Sequence, residues 1–221
     1  MQARDFFIAV ALAASLAAGA ARADPAQDHA AGDAAYRRGD VRGAIAALRK
    51  AADSGHARAQ VLLGTILDAS EQDEEAVRYL AMAAAQGDSE GAYLLAAMYS
   101  AGEGVARDPA RARQLLETAA ASGHRESIFA LAAAYIGGGL GLAGADRAAP
   151  AAVDWIRKAA DAGHLPSLDR LATAYRKGEL GLAPDIKLAE EAEARARSIR
   201  GVSARTPAPR KRASPRLPGN G

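Results

Sequence analysis

Three of the four histidines in this chain, His56, His124 and His164, share one setting, directly after a glycine and directly before a helix-like stretch. Imidazoles repeated in register invite a zinc reading, because zinc draws nitrogen ligands to about 2.0–2.1 Å from a single ion. Their spacing argues against it. Each histidine belongs to its own structural unit, and one helix-to-helix step of about 8–10 Å keeps neighbouring units from converging on one ion. The expectation is a turn residue that covers the end of a helix.

The other candidates for chemistry are weaker. Asp73, Glu74, Glu75, Glu190 and Glu191 stand at starts or outer faces of helices, where carboxylates favour the helix dipole and solubility. No partner base or cleft accompanies them, so general acid–base work is not expected. The chain has no cysteine, hence no thiolate nucleophile, no disulfide framework and no acylated N-terminal cysteine. No Gly-x-Ser-x-Gly sequence occurs. The run Gly137 to Gly141 lacks the phosphate-loop lysine and follows a helix instead of a strand. No enzyme, cofactor or metal is expected.

What must position these residues is a repeat. The turns Ser54-Gly55-His56, Gln86-Gly87-Asp88, Ser122-Gly123-His124 and Ala162-Gly163-His164 place their glycines 32, 36 and 40 residues apart. Eleven residues before each glycine stands Ala44, Ala76, Ala112 or Ala152, and seven before stands Leu48, Leu80, Leu116 or Ile156. Eight after come Leu63, Leu95, Leu131 and Leu171; nine after come Gly64, Ala96, Ala132 and Ala172. Twelve after come Leu67, Tyr99, Tyr135 and Tyr175. The length variation lies in the connection to the next unit, as a rigid unit with elastic spacers requires.

Ala92, Leu95, Ala96 and Tyr99 make one stripe of a helix, and the stretch before each turn has a stripe of its own. Two such helices joined at a glycine corner make an antiparallel hairpin, with glycine taking the left-handed backbone. One hairpin cannot bury two apolar stripes, so it must stack on the next. Val105, Leu142 and Leu182 sit at matching places in the spacers and are expected to tuck onto the core. A last helix, roughly Pro184 to Arg200, should close the stack with a charged outer face and Glu191–Arg195 and Glu193–Arg197 pairs. Trp155 and Tyr79 align with Leu115 and are expected in the core.

Val61, Tyr93, Phe129 and Asp169 form a second row, six residues after each glycine, with Thr65, Ala97, Ala133 and Thr173 one turn further. Two readings are open: Tyr93, Phe129 and Val61 face a ligand groove, or they pack between adjacent repeats.

The stretch Gly55 to Gly64, with Gly102-Glu103-Gly104-Val105 and Asp108 ahead of an alanine-rich helix, resembles the Sel-one-like repeat family, a tetratricopeptide-related α/α solenoid. The resemblance runs over about residues 30–200. It implies a non-catalytic adaptor for protein complexes, often exported or envelope-associated in bacteria. Leu67 in place of the usual tyrosine, a second unit without the Gly-x-Gly-Val loop and the long fourth spacer depart from the family pattern.

The 221-residue chain carries a formal charge of +2, unevenly spread. Residues 1–23 read as an export signal, with Arg4, an apolar run from Phe6 to Ala20, and cleavage expected between Ala23 and Asp24. Residues 201–221 form a basic Pro/Arg-rich tail, expected to be disordered, with Arg205, Arg210, Lys211, Arg212 and Arg216 and no acid. Without aromatic residues that tail has no stacking platform for nucleic acid. The whole is expected to be all-α, a right-handed superhelical solenoid of about four to five stacked antiparallel helix pairs over residues 24–200. Its expected role is a periplasmic scaffold for another protein. The alternative is a binder of an anionic polymer or membrane surface through the tail. Oligomeric state is left open.

Overall fold

The computed structural model describes residues 24–148 and 150–205. Ten α-helices follow one another: α1 Pro25–Arg37, α2 Val41–Asp53, α3 Ala57–Asp68, α4 Asp73–Ala85, α5 Ser89–Ala101, α6 Pro109–Ala121, α7 Arg125–Gly137, α8 Pro150–Asp161, α9 Leu165–Lys177 and α10 Ile186–Arg205. A short 3-10 turn, Gly144–Ala148, sits in the long spacer before α8. The only β feature among the described residues is one bridge between Gly139 and Leu142. The all-α solenoid expected from the repeat is the fold.

Short polar caps start the helices. Asp24, Asp40, Asp88 and Asp108 accept backbone N–H groups of Ala26, Gly43, Gly91 and Arg111 at 2.9–3.0 Å. Helix ends are equally uniform. Gly55, Gly87, Gly123 and Gly163 have φ between 83° and 88°. At each corner the following residue donates its N–H back to the carbonyl of Ala51, Ala83, Ala119 or Ala159 at 2.9–3.1 Å. This is the Schellman arrangement, which satisfies carbonyls the helix leaves bare. Gly39, at φ 82°, makes the same corner between α1 and α2.

The hairpin unit differs from the sequence expectation. Each of α3, α5, α7 and α9 packs more extensively on the helix after it, reached across a spacer, than on the helix before it, reached by a glycine corner, while the closest pair, α1 with α2, meets at the Gly39 corner. Small residues explain the closeness. A Cβ built on Gly64 would stand 2.7 Å from Leu80 Cγ, and one on Gly32 only 2.5 Å from Leu48 Cγ. Odd-numbered helices also touch one another, α1 with α3, α3 with α5 and α7 with α9, to an extent no even–even pair among the described residues reaches. The odd helices therefore line the inner side of the curve.

The core runs along the seam. Leu48, Leu63, Leu80, Leu131, Ile156 and Leu168 are fully buried. Val105, Leu142 and Leu182 pack on it as expected. Tyr79 is buried and donates its hydroxyl to Asp53 Oδ1 at 2.9 Å, tying α4 to α2. Trp155 is half-buried where two core clusters meet, with Lys158 over its ring.

Two details of the last helix are corrections. It runs past Arg200 to Arg205. Arg195 leaves Glu191 and reaches Asp161 Oδ1 at 3.3 Å and the Ala160 carbonyl at 2.9 Å, so α10 is pinned to the preceding corner. Glu193 keeps Arg197 at 3.7 Å but also binds Arg176 of α9 at 2.5 Å.

Candidate functional site

Histidine N-caps organise the inner face. His56, at the cap of α3, accepts the N–H of Ala59 on Nδ1 at 3.1 Å. His124 Nδ1 accepts the N–H of Ser127 at 3.3 Å and lies 2.9 Å from its hydroxyl. His164 Nδ1 lies 2.8 Å from the Ser167 hydroxyl. Asp88 takes the same role at α5. An imidazole that accepts on Nδ1 carries its proton on Nε2, and at His124 that nitrogen points to Glu90 Oε2 at 2.9 Å. Burial holds the His164 pKa below the usual imidazole range.

Each cap meets the second row of the preceding odd helix. Tyr93 lies 5.2 Å from His124 between ring centroids, and Phe129 lies 4.6 Å from His164. Val61 reaches the start of α5, within 3.4 Å of where a Gly91 Cβ would stand. The row is thus part of every junction between repeats. Tyr93, Phe129 and Val61 are half-buried there, and the Arg125 guanidinium lies over the Phe129 ring, 5.0 Å from its centroid. Asp169 ends the row differently: it is exposed and pairs with Arg200 of α10.

Sequence reasoning missed the fourth histidine. His29 of α1 is the first member of this row, stacked on His56 with centroids 4.7 Å apart. Counting back 32 residues from His56 reaches Asp24, the cap of α1, and that spacing was the available signal. Also missed was the row four residues after each glycine: Ala59, Gly91, Ser127 and Ser167, all buried. A Cβ on Gly91 would lie 2.7 Å from that of Ala83, so only small residues fit against the preceding helix.

The odd helices bring together one shallow apolar recess between α5 and α7. Tyr93, Ala97 and Ser100 of α5, Leu116 of α6, Ala130 of α7 and Leu140 of the long spacer line it, and it encloses about 190 Å³. Nothing in it can ionise near neutral pH or hold a metal. Among the described residues no three His, Asp or Glu side chains gather to bind a metal ion. No described helix is long and apolar enough to cross a membrane. Of the basic tail only Arg205 lies within α10, described by its backbone; Arg210, Lys211, Arg212, Arg216 and the expected export signal 1–23 lie outside the described residues.

A family model for the Sel1 repeat matches four consecutive segments, residues 57–88, 89–124, 125–164 and 166–191. The chain belongs to the Sel1 repeat family. The matched segments are the pairs from α3–α4 to α9–α10, and α1–α2 adds a fifth pair ahead of them. Sel1 repeat proteins generally mediate protein–protein interaction and are typically non-catalytic. Among solved structures, this Sel1 chain is similar to a protective antigen present in uropathogenic Escherichia coli strains that displays an SLR fold. Identity is 28% and the TM-score 0.66, over 80% of this chain and 38% of the antigen. The chain thus spans well under half of the antigen's length. It is also similar to a Sel1 repeat protein from Oxalobacter formigenes, at 26% identity and TM-score 0.58, covering 78% of this chain and 70% of that one. A sel1 repeat protein from Klebsiella pneumoniae shares the fold at 20% identity and TM-score 0.51, covering 82% of this chain and 89% of that one. No curated protein matches the sequence.

Proposed function

We propose that this Sel1 repeat protein is a non-catalytic scaffold of the bacterial cell envelope that holds another protein against the inner face of its odd-numbered helices. The recess between α5 and α7 carries the reading, because it is apolar, preformed and bordered by an aromatic side chain. Tyr93, Phe129 and Val61 offer their exposed surface as anchors, and the small residues Thr65, Ala97 and Ala133 leave room for a partner's backbone. A rigid surface keeps the ordering cost of association low. The expected signal segment 1–23 supports export to the periplasm, and a chain cut before Asp24 would retain the first helix cap. Arg205, Arg210, Lys211, Arg212 and Arg216 would add attraction to an anionic polymer or membrane surface.

Site-specific photocrosslinking tests this. A benzophenone side chain at Ala97 or Ala133 should give one discrete protein adduct in envelope preparations, and the same group at exposed Gln114 on α6 should not. The adduct should survive deletion of residues 206–221 and disappear with Tyr93→Ala plus Phe129→Ala. Adducts lost with the tail, or falling steeply with salt, would replace this reading with the polyanion one.

A further inference from the structure

The first junction of the array differs from the others in its chemistry. At α5/α7 and α7/α9 a tyrosine or phenylalanine lies on the cap histidine. Between α1 and α3 both partners are imidazoles, His29 and His56, with centroids 4.7 Å apart and planes 24° from parallel. His56 must be unprotonated on Nδ1 to accept the Ala59 N–H that starts α3. Adding a proton there removes the cap and sets a cation at the positive end of a helix dipole. A proton on each ring sets two cations face to face across the seam.

We infer that the His29–His56 stack is a proton-operated clasp: neutral, it holds the first helix pair α1–α2 on the array, and protonated, it lets that pair come away. The surroundings do not neutralise the added charge. Burial disfavours the His29 cation, His56 opposes it from α3, Asp33 on α1 favours it, and Arg58 on α3 opposes it again. Asp33 is engaged by Arg37 at 2.6 Å, and Asp53, the acid at the end of α2, by Tyr79. His124 shows the contrast, with Glu90 and Glu126 at 2.9 and 3.6 Å from Nε2. Within that pair α1 is the thinly packed member, burying only Gly32 and Ala35, whereas α2 is also tied to α4 by Arg49–Glu75 at 2.9 Å and by Asp53–Tyr79.

Hydrogen exchange of the full chain at pH 7.5 and 5.5, corrected for intrinsic rates, reads the release. This window lies above the ordinary carboxylate range and spans the ordinary imidazole value of about 6.5. Protection over residues 25–53 should fall about tenfold at the lower pH, the factor one proton's worth of linkage per pH unit gives. Protection over α5 and α6, capped by Asp88 and Asp108, should stay unchanged. His29→Phe with His56→Asn keeps a ring on the row and a good cap but nothing to protonate, and should abolish the change. Equal protection at both pH values, or the same loss in the double variant, overturns the proposal. Should the variant fold poorly, imidazole NMR of the unaltered chain decides. The clasp requires His56 as the Nε2–H tautomer and His29 titrating below the free value; a protonated His56 Nδ1 at pH 7.5 overturns it.

Discussion

The ring of Phe129 lies nearly flat on the imidazole of His164, with centroids 4.6 Å apart and planes 22° from parallel. It is a contact between successive odd helices, so it couples repeats as well as bordering the inner face. Phe129→Ala should therefore lower stability by about 1–3 kcal/mol, less than a fully buried phenylalanine because the ring is half-buried. Urea unfolding would show it as a lower midpoint at constant slope. Phe129→Leu should recover the buried area but not the stack, and fall between the two. An unchanged midpoint in Phe129→Ala would mean the ring serves only the inner face.

Two helical glycines should respond in opposite directions to alanine. Gly64 faces Leu80, whose Cγ would lie 2.7 Å from the new Cβ, and Leu80 is only 1% exposed, so it has little room to move. Overpacking of about 1–3 kcal/mol should outweigh the helix-propensity gain of about 1 kcal/mol, leaving Gly64→Ala destabilised. Gly201 in α10 has nothing within 4 Å of the same position. Gly201→Ala should raise stability by up to about 1 kcal/mol. Thermal melts of both variants side by side would settle the comparison, and a stabilised Gly64→Ala would show the α3–α4 approach to be looser than described.

The corner glycines and the leucine rows were legible because each obeys a steric rule that holds wherever the unit recurs. Helix α1 was not, because it carries Ala31, Gly32 and Ala35 where later helices carry leucine, a small residue and leucine or tyrosine. α1 buries only Gly32 and Ala35, and its hydrophobic stripe fades. Which helices form the tighter pair was also hidden, since corners and spacers both produce antiparallel neighbours. That choice depends on which small residue meets which leucine, as Gly64 meets Leu80. The end of the array had a readable cause. Arg200 stands eleven residues after Ala189, the place of the corner glycine, so α10 continues and Arg200 answers Asp169. Of the candidate site, the row Val61, Tyr93, Phe129 was visible as a period, but its stacking on the caps needs coordinates.

Tyr79 tests the tie between even helices. Its ring is buried, and its hydroxyl donates to Asp53 across repeats at 2.9 Å. Tyr79→Phe keeps the packing and should cost about 1 kcal/mol, because exposed Asp53 can turn to water. Burial first, and then the hydrogen bond to Asp53, raise the Tyr79 pKa above the usual phenol value. The folded state thus favours the neutral phenol. Its stabilising contribution is whole below about pH 10 and is lost as pH rises through the raised folded value. Calorimetry from pH 8 to 11 should show a steeper fall for the unaltered chain than for Tyr79→Phe. Parallel curves would remove Tyr79 from the account.

His164 should give the last junction an acid sensitivity of its own. Its pKa is lowered by burial alone, so the unfolded chain takes up a proton more readily than the folded one. The sign follows: stability is complete above about pH 6.5 and is lost as pH falls through that value towards the lower folded pKa. His164→Asn places a side chain that cannot titrate at the start of α9, at the cost of the contacts with Phe129 and the Ser167 hydroxyl. The variant should be less stable at pH 7.5 yet lose less on going to pH 5.5. Trp155, the single tryptophan, packs in the same core cluster as Phe129 and reports on this end of the array. Urea unfolding followed by its fluorescence at the two pH values measures both effects. The same pH-dependent loss in His164→Asn as in the parent would assign the acid sensitivity to other groups, and the buried imidazole would then be only a packing surface for Phe129.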